Sequence, residues 1–255
     1  GDEIRVTHQN TLDNLPWGEL DIDLVLECSG VFSDRAAAQQ HLDRGAKRVL
    51  FSQPAEADVD ATIVYGINHQ QLKSTDRIIS NASCTTNCII PVIQCLGDAI
   101  GIDSGHITTI HSAMNDQPVI DAYHHTDLRR TRSASSSIIP VETGLAKGIT
   151  RILPHYENKF TATAMRVPTV NVSIMDITML MSRATSVDEV NAVLQQAAEG
   201  SMAGILGFTN ELLASCDFNH DPRSSIVDGG QTGVTDARLV KVMAWILMCR
   251  LKTAK

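Results

Sequence analysis

Aromatic residues make up only 4% of this chain, and basic residues are outnumbered: 21 Lys and Arg stand against 29 Asp and Glu, a net charge of −8. Non-specific nucleic-acid binding needs a basic face, so this balance argues against a nucleic-acid partner. No uninterrupted apolar run is long enough to span a bilayer, and the opening residues show no signal-peptide pattern, so no membrane partner is expected. The cysteines at 28, 84, 88, 95, 216 and 249 have neither metal-ligand nor disulfide-framework spacing. No metal site is therefore expected, and a reduced cytoplasmic setting fits. Internal repeats and low-complexity segments are also lacking. So is a G-x-G-x-x-G loop, the glycine fingerprint that cradles a dinucleotide pyrophosphate after the first strand of a Rossmann sheet.

What is present suffices for one large domain or two modest ones, with 43% hydrophobic residues over 255 positions. Residues 22–29 (IDLVLECS) read as a buried parallel strand closed by Ser29-Gly30. Ser33 or Asp34 then caps a predicted helix over 34–45, which carries Ala36, Ala37, Ala38 and Leu42 and ends at Gly45. Strands are predicted at Arg48–Ser52, Thr62–Gly66 and Arg77–Ser80, followed by a helix over 85–98. That alternation predicts right-handed parallel α/β winding.

From about residue 106 the character changes. A strand is predicted at His106–Ser112, and 113–136 is a long, serine-rich loop carrying Arg129, Arg130 and Arg132; loops of that length are usually functional or disordered. A helix is predicted over 141–152. Phe160–Arg166 and Val170–Ser182 alternate as long strands of an antiparallel sheet with one covered face. Thr185 or Ser186 caps a helix over 187–199, with Ser186-x-x-Glu189 as a capping box, and 224–228 and 238–245 read as further strands. The expected architecture is α/β: a partial doubly wound, Rossmann-type parallel sheet over 1–83, then an α+β domain with an antiparallel sheet over 84–245, then a tail over 246–255.

The stretch SNASCTTNCIIP at 80–91 carries the sharpest chemical signal. Cys84 sits among small and hydroxylated residues directly before an apolar helical run. Unpaired N–H groups and the positive dipole end there favour thiolate over thiol. Taken alone the pattern is read equally as a nucleophile or as a buried structural cysteine. Cys88 falls one turn further along the same face and reads as packing. A lone histidine such as His111 reads by itself as a surface or satisfied side chain, as do His8, His41, His69, His106, His124, His125, His155 and His220. Arg129, Arg130 and Arg132 read by themselves as a solvated loop cluster.

SNASCTTN is followed by TTIHSAM at 108–114, DLRRTR at 127–132, SIIPVETGLAKG at 137–148 and MRVPTVNVS at 165–173. Together these motifs, spread over nearly the whole chain, resemble the glyceraldehyde-3-phosphate dehydrogenase family. HSAMNDQPVIDAYH at 111–124 and CDFNHDPRSSIVDG at 216–229 point to its branch acting on D-erythrose 4-phosphate. The resemblance implies an NAD-dependent aldehyde dehydrogenase with Cys84 as nucleophile and His111 as general base. Arg166 would bind the substrate phosphate. Arg130, Thr143 and Gly144 would form a second anion pocket, with Ser83 beside the nucleophile. Ser29, Gly30 and Ser52 would line the NAD side. A cytoplasmic homotetramer acting on a small sugar phosphate is implied.

One departure from the family pattern is informative. Where the glyceraldehyde enzymes hold phosphate with threonines, this chain has Met114 and Asp116. A methionine donates no hydrogen bond and an aspartate repels phosphate. That suits oxidation of D-erythrose 4-phosphate to 4-phosphoerythronate with water resolving the thioester, a step that feeds pyridoxal phosphate synthesis in the family. Glyceraldehyde-3-phosphate dehydrogenase activity proper is the alternative that these two residues oppose. The family also places its glycine fingerprint upstream of where this chain begins. Its closing Asp-Asn-Glu-Trp-Gly follows a tryptophan, whereas here Trp245 is followed by Ile246-Leu247-Met248-Cys249. The expectation is a chain truncated at both ends, with an exposed edge strand within 1–80, weak NAD affinity and little turnover. A cofactor-deficient remnant is the corresponding alternative to an active enzyme.

Overall fold

The computed structural model describes residues 3–114, 116–123 and 127–247. Its strands are β1 (Leu24–Glu27), β2 (Arg48–Phe51), β3 (Ala61–Thr62), β4 (Ile78–Ser80), β5 (Ile102–Ser112), β6 (Ile139–Val141), β7 (Phe160–Val167), β8 (Ser173–Met181), β9 (Leu206–Thr209), β10 (Ser225–Thr235) and β11 (Leu239–Ile246). Its α-helices are α1 (Arg35–Asp43), α2 (Cys84–Ala99), α3 (Leu145–Ile152) and α4 (Val187–Glu199). The chain divides into two compact units. The first holds the residues up to Val64 with Asn68–Ser83, the second Tyr65–Ile67 with the chain from Cys84 onward.

The first unit is a parallel α/β layer with strand order β1-β2-β4-β3. Asp34 opens α1, its carboxylate accepting the Ala37 N–H at 2.7 Å, which satisfies one of the orphan donors of the first turn. Val25, Val49, Phe51 and Ile78 of the sheet close over Ala38 and Leu42 of the helix, which is why a four-residue run of apolar character suffices as a strand here. Gly45 ends the helix turn at φ +104, and a Cβ on it would lie 2.5 Å from the Gly18 Cα. Only glycine meets both demands. β1 lies at the sheet edge with Leu24 and Leu26 exposed. β3 is shorter than the predicted 62–66 strand, because the Asn68 side chain accepts from Val64 N and donates to Thr62 O, turning the chain.

The second unit is built on a seven-stranded mixed sheet of order β6-β7-β5-β8-β11-β10-β9. α2, α3 and α4 pack on one face of it. There Ile107, Met175, Ile177, Met179, Val240 and Val242 of the strands are fully buried, as are Ile89, Ile93, Leu96, Ile149, Val190 and Leu194 of the helices. Burying side chains of this size is worth roughly 1.5–3 kcal/mol each before entropy is subtracted.

Several elements differ from the sequence reading for identifiable reasons. β7 and β8 are not partners; β5 lies between them, parallel to β7 and antiparallel to β8, so the sheet is mixed. Alternation of apolar residues specifies a buried face and says nothing of which strand lies alongside. β8 begins at Ser173, three residues later than predicted, because Val170 is exposed and Val172 takes φ +62, which interrupts extended structure. α3 begins at Leu145, since Val141 is still paired with Ala164 in β6. β6 carries Pro140 and forms a sheet edge, the position proline tolerates. β11 continues through Ile246, which pairs with Ser173 and Ser225. The tail expected from 246 therefore starts one residue inside a strand, and its residues 248–255 lie outside the described ones.

Over 187–199 the helix falls as predicted, with the Ser186 hydroxyl accepting from Glu189 N at 3.2 Å. The Glu189 carboxylate, however, bonds Arg183 and Thr185 instead of closing a capping box. Among the described residues no helix is long and apolar enough to cross a membrane.

Candidate active site

Cys84 is the first residue of α2, and the apolar face behind it (Ile89, Ile90, Ile93, Leu96) seats that helix on the sheet. β5 delivers the second group. Its inward-facing alternation Ile107, Thr109, His111 ends with the imidazole buried beneath α2, its Nε2 3.7 Å from the Cys84 Sγ. The other ring nitrogen, Nδ1, lies 2.8 Å from the carbonyl oxygen of Ser112. A carbonyl only accepts, so Nδ1 carries the proton and Nε2 presents its lone pair to the sulfur. Ser173 fixes this strand end, its hydroxyl accepting from Ser112 N at 3.0 Å.

Sheet register supplies the third group. Arg166 of β7 is the direct partner of His111, and Ile139 of β6 is the next residue across. The Arg166 Nε is buried without a hydrogen-bond partner. Burial pulls the guanidinium below its ordinary range, while Asp116 and Cys84 act in the opposite sense and Arg130 adds to the depression. Four charged or ionisable side chains thus share one field around Arg166.

Burial of the pair works against the expectation drawn from the helix end. Burial pushes the Cys84 thiol up, against the Thr85 N–H and the Arg166 charge, which pull it down. Burial likewise pushes the His111 imidazole down, partly opposed by the Ser112 carbonyl. Magnitudes explain the outcome. A helix N-terminus contributes about 0.3–1 kcal/mol to a charge, whereas full burial shifts a titratable group by up to roughly 3–5 pH units, at 1.36 kcal/mol each. Burial thus favours the neutral form of both groups.

The other predicted site residues are distributed as follows. Arg130, in the 3-10 turn Leu128–Thr131, pairs with Asp127 at 3.4 Å and Asp116 at 3.8 Å. Arg132 pairs with Asp121 at 3.3 Å. Thr143 and Gly144 stand at the start of α3, where the Thr143 hydroxyl accepts from Leu145 N at 3.3 Å and Gly144 is the N-cap. Thr143 shares an open groove of about 500 Å³ with Arg129, Val141 and Met165, and Arg130 is not among the residues that line it. Ser83 directly precedes Cys84 and belongs to the first unit. Ser29, Gly30 and Ser52 are also in the first unit, at the carboxyl ends of β1 and β2.

Sequence reasoning missed the Ser112 carbonyl and Ser173, which fix the imidazole through backbone and side-chain groups that no motif reveals. It also missed Asp116 as the ion-pair partner of Arg130. Cys88 is fully buried with its thiol 3.3 Å from Ser225 Oγ, a packing role. His106 bonds Thr161 Oγ1 at 2.8 Å on the outer sheet face; His124, His125 and Cys249 lie outside the described residues. No cluster of three or more His, Cys, Asp or Glu among the described residues could hold a metal ion.

A part-buried thiol facing a tautomer-fixed imidazole, with a guanidinium on the adjoining strand, defines the class: an α+β domain carrying a cysteine–histidine pair at the end of a mixed sheet. Residues 83–246 match the family model of the glyceraldehyde 3-phosphate dehydrogenase C-terminal domain. That match spans more than half of the chain, which belongs to the glyceraldehyde 3-phosphate dehydrogenase family and is thereby placed among the oxidoreductases.

Proposed function

We propose that the chain oxidises a phosphorylated aldehyde with NAD, and that it is of the D-erythrose-4-phosphate dehydrogenase type, converting D-erythrose 4-phosphate to 4-phosphoerythronate. The observation that carries this reading is the Cys84–His111 pair with Arg166 in register beside it. A carbonyl carbon has no hydride to give until it becomes tetrahedral. The Cys84 sulfur adds to the aldehyde carbon as its proton passes by way of His111 Nε2 to the carbonyl oxygen, giving a neutral hemithioacetal. The backbone N–H of Cys84 would stabilise the developing oxyanion. His111 Nε2 then takes the hydroxyl proton as carbon gives up its hydride to the acceptor that NAD would supply, and the resulting thioester is cleaved by water to acid and free thiol. Arg166 suits a phosphate oxygen, its Nε being desolvated and without a partner.

Ser29, Gly30 and Ser52 fit the dinucleotide side by position. They stand at the carboxyl ends of parallel strands, where nucleotides bind open α/β sheets. Gly30, at φ +73, has open space where a side chain would be. NAD, when bound, supplies the hydride acceptor. The preference for erythrose 4-phosphate rests on Met114 and on Asp116, whose carboxylate is 3.8 Å from Arg130 and competes there with an incoming anion. The family's tetrameric habit supports a homo-oligomer, and the outer face of the seven-stranded sheet, with Thr108, Asp176, Thr178 and Lys241 half-exposed, is the surface available for it.

The test is to follow NAD reduction by the full chain with D-erythrose 4-phosphate and with glyceraldehyde 3-phosphate, with and without inorganic phosphate. Turnover on the four-carbon substrate, independent of phosphate and absent in Cys84→Ser, is expected. Phosphate-dependent turnover that favours the three-carbon substrate would overturn the erythrose reading.

A further inference from the structure

The first unit buries two titratable side chains that this chemistry does not use. Glu27, the last residue of β1, is 6% exposed, and His41, on the inner face of α1, is 3% exposed. The Trp17 indole nitrogen is 3.0 Å from His41 Nδ1, and His41 Nε2 is 3.2 Å from Glu27 Oε2. The other carboxylate oxygen, Oε1, accepts the Ser29 N–H at 2.7 Å. An indole N–H can only donate. Nδ1 of His41 must therefore keep its lone pair, which puts the ring proton on Nε2, pointing at the carboxylate. Every bond in the chain then has one direction: Trp17 to His41, His41 to Glu27, with the Ser29 amide arriving at the same carboxylate. Ser29 Oγ in turn accepts from Val31 N at 3.2 Å, closing the turn around Gly30.

We propose that Trp17, His41 and Glu27 are positioning residues that hold the Ser29–Gly30 turn in place. The link to catalysis rests on the reading above, in which that turn lines the cofactor. The indole N–H fixes the tautomer of His41, the ring N–H orients the Glu27 carboxylate, and the other carboxylate oxygen holds the Ser29 amide, so removing the imidazole releases the turn.

Other charged groups on the packed elements are bonded elsewhere. Asp13 pairs with Arg44, Lys47 with Asp21 and Asp23, and Arg35 with Asp60. Arg48 donates to the Ser74 carbonyl, Asp34 accepts from Ala37 N and Asp43 from Gln39. Of the residues lining the groove of about 490 Å³ beside β1, the titratable ones are Glu27, Cys28 and His41.

The test uses the full chain carrying Trp245→Phe, which leaves Trp17 as the one remaining tryptophan. Its emission and the amide exchange of residues 28–32 are followed at neutral pH, with circular dichroism confirming that the fold persists. Protection of the turn in the parent chain is expected. His41→Gln offers an oxygen to the indole and an N–H to Glu27, so its turn should stay protected. His41→Phe removes both bonds and should leave the turn unprotected and Trp17 emission shifted. It should also weaken NAD binding about tenfold, the scale of one hydrogen bond, with His41→Gln restoring it. A turn left unprotected in His41→Gln, or one as protected in His41→Phe as in the parent, would overturn the positioning chain. If the parent chain binds no NAD, the cofactor reading fails, and the emission and exchange data still decide the chain.

Discussion

The resting state of the thiol is the most exposed point of the reasoning, and alkylation of Cys84 probes it directly. Burial raises the Cys84 thiol and lowers the His111 imidazole, so both neutral forms are favoured and sulfur holds its proton to higher pH than in a free cysteine. Only the thiolate reacts with iodoacetamide. The labelling rate of the substrate-free chain should therefore still be climbing at a pH where a free cysteine has levelled off. Cys28 and Cys216 are exposed and label too, so the rate must be read at the Cys84 peptide by mass spectrometry. The shape of the profile is the readout, since restricted access scales the rate without bending it. Arg166→Gln removes a charge that favours the thiolate and should move the profile further alkaline. A plateau already reached below pH 7, and lost in His111→Gln, would establish a resting thiolate–imidazolium pair and refute the argument that burial outweighs the helix end.

His111→Gln should lower kcat by roughly 10²–10⁴-fold, the usual span of a general base, with KM for the aldehyde little changed in steady-state assays. Arg166→Gln should raise KM for the phosphorylated aldehyde, removing about 1.5–3 kcal/mol of charge-assisted bonding, while leaving an unphosphorylated aldehyde of the same length less affected. Gly45→Ala should destabilise the first unit by about 1–3 kcal/mol, because the new Cβ meets the Gly18 backbone at a left-handed φ. A lowered urea midpoint checks this, and an unchanged midpoint would contradict the close approach of the two glycines.

Much of the fold was legible because it is carried by local pattern. Ser186 before an apolar period of 3.6 marks α4, and Asp34 with Ala37, Ala38 and Leu42 marks α1. The meeting of Cys84 with His111 was legible through motif context, although neither residue is distinctive alone. His41 carried a readable signal that was passed over: it falls at helical spacing from Ala37 and Ala38, on the buried face of α1. Strand partnership was not legible, since β7 pairs with β5 across the α3 crossover and nothing in the alternation of Phe160–Val167 names that partner. Short β6 and β9 escaped notice for want of enough residues to establish a period.

The sequence by itself determined the residue types and their order: a cysteine at a helix start, a histidine at a strand end and an arginine on a later strand. These are local facts, set by the 3.6 and 2.0 periods and by the residues that cap and turn the chain. Tertiary structure alone decided that Arg166 is the lateral neighbour of His111, that the Ser112 carbonyl selects the imidazole tautomer, and that burial pushes the thiol up. Register and desolvation depend on which surfaces meet, and groups far apart in sequence settle that only when the sheet closes against α2.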